Sequence, residues 1–128
     1  MRKSDIIIKY ATQDHAKEFY GENRKTFKGY AALLNGNVVG IGGLCFEKDK
    51  MVLFSDMKKE MRPYKKTIVK CIKILGKMVE QTKYPVVAIA DKNEKMSERI
   101  LIKLGFEPSG ETVPLGKVFW RFPKWVQD

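Results

Sequence analysis

Short apolar runs separated by turn residues occupy the first part of the chain, a pattern that predicts strands. Three isoleucines at positions 6–8 predict the first strand. Thr12 can cap a helix and Asp14 would lie in its first turn, where a negative charge is favoured. A helix is therefore expected to follow the strand and to end near Tyr20.

Three antiparallel strands are expected next, over residues 29–34, 38–46 and 51–57. Asn35 and Gly36 separate the first two, and this dipeptide is a strong signal for a two-residue hairpin turn. Glycines at 40, 42 and 43 interrupt the middle strand, which predicts a bulge or a close approach of two backbones. This segment is read as a three-stranded meander.

A long amphipathic helix is expected after the meander. Pro63 fits a first helical position, which makes Arg62 the expected capping residue. Apolar residues and lysines each recur at spacings of 4, 3 and 4, so they fall on two separate faces, one for the core and one for water. The apolar set is Ile68, Ile72, Leu75 and Val79, and the lysine set is Lys66, Lys70, Lys73 and Lys77.

The apolar run 86–90 predicts a strand that is buried on both faces and paired in parallel. A second helix is expected from Asn93 to Leu104, stopped by Gly105 in the left-handed conformation. Two final strands are expected over 106–111 and 118–125. This order predicts one α/β domain over residues 1–128, with a mixed, mostly antiparallel sheet and a single parallel β-α-β step.

Basic residues outnumber acidic ones, 25 to 15, which gives a formal net charge of +10. This balance favours acidic partners such as nucleotides, nucleic acid, anionic membranes or acidic proteins. The lysine set lacks interleaved aromatic residues for base stacking, so it is read as a solvated face and nucleic acid is not the favoured partner. No apolar run is long enough for a bilayer or a signal peptide, so a cytoplasmic protein without a membrane partner is expected.

Cysteine and histidine are too few and too scattered for a metal site. Cys45 and Cys71 lie in separate apolar segments, and His15 is the one histidine. Clustered spacing of such residues is what a zinc site requires, so no metal is expected. The two cysteines are read as reduced core thiols rather than as a disulfide or a nucleophile.

The segment from Met57 to Thr67 is the best candidate for a ligand site. Lysines at 65 and 66 fall in the first turn of the long helix, where the unpaired N–H groups already carry partial positive charge. A docked anion would reverse this unfavourable arrangement, and phosphate is the usual anion at such a junction. The alternative is a lysine-rich surface turn.

Several local sequences resemble the GCN5-related N-acetyltransferase (GNAT) superfamily over nearly the whole chain. Ala11-Thr12-x-Asp14 looks like the opening turn of that family's first helix, and residues 35–40 look like its second hairpin. Residues 93–97 and 99–106, ending in Lys103-Leu104-Gly105-Phe106, are similar to its late segment. The resemblance implies a GNAT fold and an acyl-coenzyme A dependent N-acyltransferase, with acetyl-coenzyme A as donor and an amine or protein as acceptor.

The resemblance also implies which residues hold the coenzyme. Arg62, Lys65 and Thr67 occupy positions of the family's pyrophosphate loop, but Lys65 replaces a glycine. Either the ammonium groups of Lys65 and Lys66 hold the phosphates themselves, or the site is closed. Met57 ends the strand that pairs with the pantetheine arm, and Asn93 is assigned to the same ligand.

The resemblance also implies catalytic residues. Asp56, with Glu60 behind it, is the expected base, although a solvated carboxylate or a partner of Lys58 is an alternative reading. Leu101 stands where the family often has a proton-donating tyrosine. Ser97, one turn earlier, would contact the coenzyme or relay a proton through water, or would be an ordinary hydroxyl on a helix face.

A narrower likeness joins this chain to small acetyltransferase-like proteins of tailed bacteriophages, on residues 40–43, 54–56 and the lysine-rich helix. It leaves open an interaction protein without turnover, in the host cytoplasm or in the virion. The terminal aromatic residues would line an acceptor groove or a subunit contact, which leaves a homodimer open. These residues are Phe119, Trp120 and Trp125.

Overall fold

The computed structural model describes residues 5–123, and within them the chain forms one mixed sheet with helices on both faces. The strands are β1 Ile6–Tyr10, β2 Phe27–Leu34, β3 Asn37–Glu47, β4 Lys50–Met57, β5 Val86–Asp91, β6 Glu107–Val113 and β7 Gly116–Arg121. The α-helices are α1 Gln13–Tyr20, α2 Lys65–Gln81 and α3 Ser97–Lys103, and a 3₁₀ helix spans Lys59–Met61.

The strand order is β1-β2-β3-β4-β5-β7-β6, and every neighbouring pair is antiparallel except β4 with β5. This parallel pair needs a crossover, which α2 supplies. The predicted α/β class, with a mostly antiparallel sheet and one parallel β-α-β step, is confirmed. Apolar side chains of α2 and α3 pack on one face of the sheet, and α1 packs on the other.

The β2–β3 hairpin forms as its turn dipeptide predicts. Asn35 and Gly36 have φ values of 52° and 83°, the left-handed pair that a two-residue hairpin turn requires. Val39 is an extra residue in β3, because Ala32 and Leu33 pair with the residues on either side of it. The predicted bulge is therefore present.

Two glycines face each other across this hairpin at very short range. Gly29 pairs with Gly43, and a Cβ atom at Gly43 would lie 2.1 Å from the carbonyl oxygen of Lys28. The atoms that this Cβ would meet, the Lys28 carbonyl oxygen and the Gly29 Cα, belong to the backbone, which cannot move aside as a side chain would. Glycine is required here to let the two strands approach, as the sequence pattern predicted.

The start of α2 corrects the sequence interpretation. The helix begins at Lys65 with Tyr64 as its capping residue, so Pro63 is not its first residue and Arg62 is not its cap. The physical reason is the 3₁₀ helix: its last turn closes through the bond from Arg62 N–H to the Lys59 carbonyl, 3.1 Å long. Arg62 is thereby committed to the preceding turn.

The two faces of α2 separate as predicted. Its buried residues are Cys71, Leu75 and Val79, while Ile68 and Ile72 are half-buried beside them. The four predicted lysines are exposed. Both cysteines are free and buried, which confirms the assignment of reduced core thiols. No helix within residues 5–123 combines the length and the apolar character needed to cross a bilayer.

Two boundaries near the C-terminus differ from expectation and one is confirmed. The last helix begins at Ser97 rather than Asn93, because bonds from Asn93 and Glu94 N–H groups to Asp91 form a turn there instead. β7 ends at Arg121 and does not continue through Phe122 and Pro123 as predicted, while the rest of the predicted strand, to Trp125, lies outside the described residues. Gly105 has φ 91° and stops α3 as predicted.

β5 is less buried than its apolar run suggested. Ala88 and Ala90 lie in the core beneath α2 and α3, but Ile89 points to the opposite face and is 39% exposed. Helix α1 packs on β3 at that face and leaves β5 open. The prediction of a strand buried on both faces is wrong for this reason.

Replacing Gly43 by alanine should destabilise the protein by about 3 kcal/mol, because the added methyl group meets fixed backbone. Gly76→Ala is the matched control. A Cβ at position 76 would meet the flexible Leu104 side chain at 3.0 Å. Alanine inside a helix stabilises the helix by about 1 kcal/mol relative to glycine, which offsets this contact. Urea unfolding should show a clear loss for the first variant and none for the second; equal effects would contradict this account.

Candidate active site

A cleft opens in the sheet because β4 and β5 separate soon after they pair. Their register holds only Met51 with Val86 and Val52 with Val87, although β4 continues to Met57. β5 stays paired with β7 along its whole length, so it does not fray. The gap therefore lies between the C-terminal halves of the two strands.

The β4 side of the gap presents backbone groups that no strand satisfies. The N–H of Met51 points toward β5 and donates to the Pro85 carbonyl oxygen at 2.9 Å. Backbone groups of alternate residues in a strand point to the same edge, so the Leu53 carbonyl and the N–H and carbonyl groups of Ser55 and Met57 face the gap, beyond the last paired residue Val52. Backbone groups without partners are costly away from water, so this edge is suited to pairing with an extended ligand.

The gap continues into a cleft of about 400 Å³. Its inner wall is apolar and comes from the strands and from facing sides of α2 and α3, while a few polar side chains lie nearer the opening. Pockets that bind small molecules are mostly apolar in this way, with a small number of placed polar groups. The apolar lining includes Leu53, Ile68, Ile72, Leu75, Ala88, Ile100, Leu101 and Leu104.

An ion pair joins the two sides of the cleft mouth. The Arg62 guanidinium, after β4, lies 3.6 Å from the Glu94 carboxylate, after β5, and both side chains are substantially exposed. Asn93 lies next to this pair, with its N–H 2.8 Å from the Asp91 carboxylate. An exposed pair of this kind is worth little in stability, so a ligand with its own negative charge can replace Glu94 at Arg62.

Asp56 is held by a tyrosine from the other face of the sheet. Tyr20, the last residue of α1, donates its hydroxyl hydrogen bond to Asp56 Oδ2 at 2.5 Å. Burial and then this hydrogen bond raise the pKa of Tyr20 above its ordinary value. The phenol therefore stays protonated, as a donor must, and fixes the carboxylate beside the cleft.

A second tyrosine lies inside the cleft. The Tyr30 ring crosses the site of Gly42, where an added Cβ would lie 2.8 Å from the ring, and its hydroxyl reaches within 3.5 Å of Ser55 Oγ. Burial, followed by the neighbouring Cys71 thiol, raises the pKa of Tyr30. Tyr30 is thus a neutral hydroxyl at neutral pH and can donate a hydrogen bond to an anion in the cleft.

The structure brings most of the predicted site residues together. Five of the eight line the cleft, and the other three lie in the first turn of α2, outside its lining. The five are Asp56, Met57, Arg62, Asn93 and Ser97. The three are Lys65, Lys66 and Thr67, of which the two lysines are exposed.

Helix α3 contributes few reactive side-chain groups to the cleft. The Ser97 hydroxyl lies 2.8 Å from the Glu94 carbonyl oxygen and 3.1 Å from that of Asp91, so its proton is engaged by backbone. Leu101 is buried and apolar. Within the described residues, no group of three His, Cys, Asp or Glu side chains could hold a metal ion.

Sequence reasoning missed three residues of this site: Tyr20, Tyr30 and Ser55. Tyr20 is 36 residues from Asp56, and no local pattern predicts that pairing. Ser55 stands inside a predicted strand, where no pattern marks it as a site residue. Tyr30 had one readable signal, since Gly42 stands opposite it in the hairpin register and provides space for an aromatic ring.

The fold is that of the GNAT acetyltransferases. The chain is similar to the ribosomal-protein-S18-alanine N-acetyltransferase of Escherichia coli over 91% of its own length and 92% of that chain, with 10% identity and a TM-score of 0.62. A GNAT-family acetyltransferase of Staphylococcus aureus Mu50 matches with 91% and 98% coverage, 14% identity and a TM-score of 0.58. The N-acetyltransferase PseH of Campylobacter jejuni matches over 91% of this chain and 97% of that chain, with 11% identity and a TM-score of 0.55.

The sequence itself carries no comparable match. No family model matches the chain, and no curated protein matches it. At identities this low the likeness establishes the fold, and the function has to be argued from the cleft.

Two of the tyrosines should resist ionisation in alkali. The raised pKa values of Tyr20 and Tyr30 mean that the unfolded chain loses these protons first, so stability falls as pH rises above about 10. A titration followed by phenolate absorbance should show both groups ionising late. Tyr20→Phe and Tyr30→Phe should each remove one late group.

The Asp56→Ala variant adds a directional check on the same titration. Removing the carboxylate takes away the hydrogen bond and the negative charge that oppose ionisation of Tyr20, so this tyrosine should titrate earlier. Tyr10, which is 92% exposed, serves as the internal reference for an ordinary phenol. If Tyr20 and Tyr30 both still ionised as late in Asp56→Ala as in the wild type, the contact between Tyr20 and Asp56 would be contradicted.

Proposed function

We propose that this protein is an acyl-coenzyme A dependent N-acyltransferase that moves an acetyl group from acetyl-coenzyme A to an amine. The observation that carries the proposal is the free β4 edge inside an apolar cleft with a cationic residue at its mouth. The extended pantetheine arm has amide groups that can pair with such an edge. The likeness to acetyltransferases in fold supports the same reading.

The donor would occupy the cleft from mouth to interior. Its amides pair with the backbone groups of Leu53, Ser55 and Met57, and its diphosphate takes the place of Glu94 at Arg62. Lys65 and Lys66 lie just outside the lining, at the N-terminal end of α2, where unpaired N–H groups also favour anions. In this arrangement the two lysines attract the phosphates without filling the cleft. Asn93 and Thr67 flank this end of the ligand.

The transfer needs one base and one acid. Asp56 takes a proton from the acceptor ammonium, and the free amine nitrogen then attacks the thioester carbonyl carbon. The new C–N bond forms as the C–S bond breaks, and the sulfur leaves with the electron pair. Tyr30 passes a proton to this thiolate while the new amide nitrogen gives up its second proton through solvent, which restores the Tyr30 hydroxyl; the products are the amide and the free thiol, and Leu101 cannot fill this role.

A second candidate function is an acetyltransferase-shaped interaction protein without turnover. It is favoured by α3, where Leu101 is apolar and the Ser97 hydroxyl is engaged by backbone. This reading keeps the earlier expectation of a phage-encoded protein of the host cytoplasm or the virion. Release of free coenzyme A thiol with any amine acceptor would exclude this second function.

Coenzyme A and acetyl-coenzyme A should bind when titrated calorimetrically at low salt. Arg62→Gln should weaken binding about tenfold, which corresponds to about 1.4 kcal/mol, since it removes the cation that meets the diphosphate. Lys70→Gln, an equal charge change on the exposed face of α2, should leave the affinity within about twofold. Absence of heat with the wild-type protein would count against donor binding.

Asp56→Asn should lower kcat/KM for acyl transfer by about 10²–10⁴-fold, the range typical of a lost general base. The affinity for coenzyme A should stay unchanged, because Asp56 is placed on the acceptor side. Tyr30→Phe should reduce kcat and should not shift the affinity. Thiol release measured beside calorimetry separates these effects, and equal activity of Asp56→Asn and wild type would exclude Asp56 as the base.

A further inference from the structure

Three charged side chains, Arg24, Asp56 and Lys58, lie in a row, and the proposed chemistry uses only Asp56, which lines the cleft. Phe54, Asp56 and Lys58 are alternate residues of extended backbone, so they point to the same face at intervals of about 6–7 Å. Lys58 continues this line because its N–H bonds to the Val39 carbonyl oxygen at 2.7 Å. This is the face on which α1 packs.

A cation lies on each side of Asp56 along this line. The Arg24 guanidinium is 4.0 Å from the centre of the Phe54 ring and 5.0 Å from that of Tyr20. On the other side, Lys58 Nζ is 5.4 Å from the centre of the Phe19 ring. Aromatic faces attract cations, so the rings fix where both charges sit.

Neither cation forms a salt bridge among the described residues, although Arg24 Nε donates a hydrogen bond to Cys45 Sγ at 3.2 Å. The ion pairs among residues 5–123 are Lys25 with Glu47, Arg62 with Glu94 and Lys117 with Glu98, and none includes Arg24 or Lys58. The C-terminal end of α1 attracts both cations, but a helix end carries only partial charge. Along this line two positive charges therefore flank the one negative charge of Asp56, and the nearby Glu18 carboxylate is engaged by the Val38 N–H at 2.7 Å.

We infer that the acceptor is an amine that also carries an anionic group, a carboxylate or a phosphate, a few bonds from its nitrogen. This inference rests on the proposed function and names the substrate class of its acceptor side. The ammonium is placed at Asp56 and the anionic group at Lys58 or Arg24. Polyamines, which bring only positive charge, are repelled by both flanking cations. The net charge of +10 also attracts such an acceptor over distance.

Two matched pairs of amines test this inference in the acyl-transfer assay. L-lysine differs from cadaverine by a carboxylate, and O-phosphoethanolamine differs from ethanolamine by a phosphate. With acetyl-coenzyme A as donor, the anionic member of at least one pair should have a kcat/KM at least tenfold higher. Which pair shows the larger ratio tells carboxylate from phosphate. A preference for the bare amine in both pairs would overturn the inference.

Variants locate the preference on the protein. Lys58→Gln should lower the ratio about tenfold by raising KM for the anionic member alone, and Lys58→Glu should reverse the ratio. Arg24→Gln should act in the same direction. Lys70→Gln removes an equal charge from the exposed face of α2 and should leave the ratio unchanged. Equal effects of Lys58→Gln on both members of a pair would contradict the assigned contact.

A binding measurement separates this inference from the proposed function. In amide NMR spectra of the protein without donor, O-phosphoethanolamine or L-lysine should shift the signals of Tyr20, Asp56 and Lys58, and ethanolamine and cadaverine should not. Shifts without any thiol release would keep the acceptor class and overturn the acyl transfer. Turnover of bare amines without shifts or preference would overturn the acceptor class alone, and neither shifts nor turnover would overturn both.

Discussion

The incomplete pairing of β4 with β5 is the constraint on which the site depends. If the two strands were paired to their ends, the backbone of β4 would be satisfied and the cleft would not exist. β7 holds β5 in the sheet by pairing with its full length, and side chains of α2 and α3 line the cleft beneath the gap. The sheet thus keeps its core intact while it leaves one edge of β4 free for a ligand.

The two faces of the sheet contribute different chemistry to this gap. On the face covered by α2 and α3 lie Tyr30, which is buried and therefore stays protonated, and an apolar wall. On the face covered by α1 lies Asp56, which is more exposed and is held by Tyr20. An acid and a base can coexist within one small domain because the sheet separates their surroundings.

Local patterns predicted the fold well because the decisive signals act over a few residues. Asn35 with Gly36, Gly105 and the two faces of α2 each depend on nearby backbone geometry alone. The site was harder to predict, because the contact of Tyr20 with Asp56 joins distant segments and the separation of β4 from β5 has no sequence signal. The start of α2 was misplaced because the 3₁₀ helix ahead of it competes for Arg62.

The short seam between β4 and β5 also has a mechanical consequence. Strands β1 to β4 form one part of the sheet and strands β5 to β7 another, and two residue pairs, Met51 with Val86 and Val52 with Val87, make the whole pairing between them in the described residues. So short a pairing allows the two parts of the sheet to rotate slightly against each other. Helix α2 resists this rotation, because its buried face packs against both parts. A molecule that pairs along β4 and fills the space up to β5 would act as an additional strand between the two parts and stiffen the whole sheet.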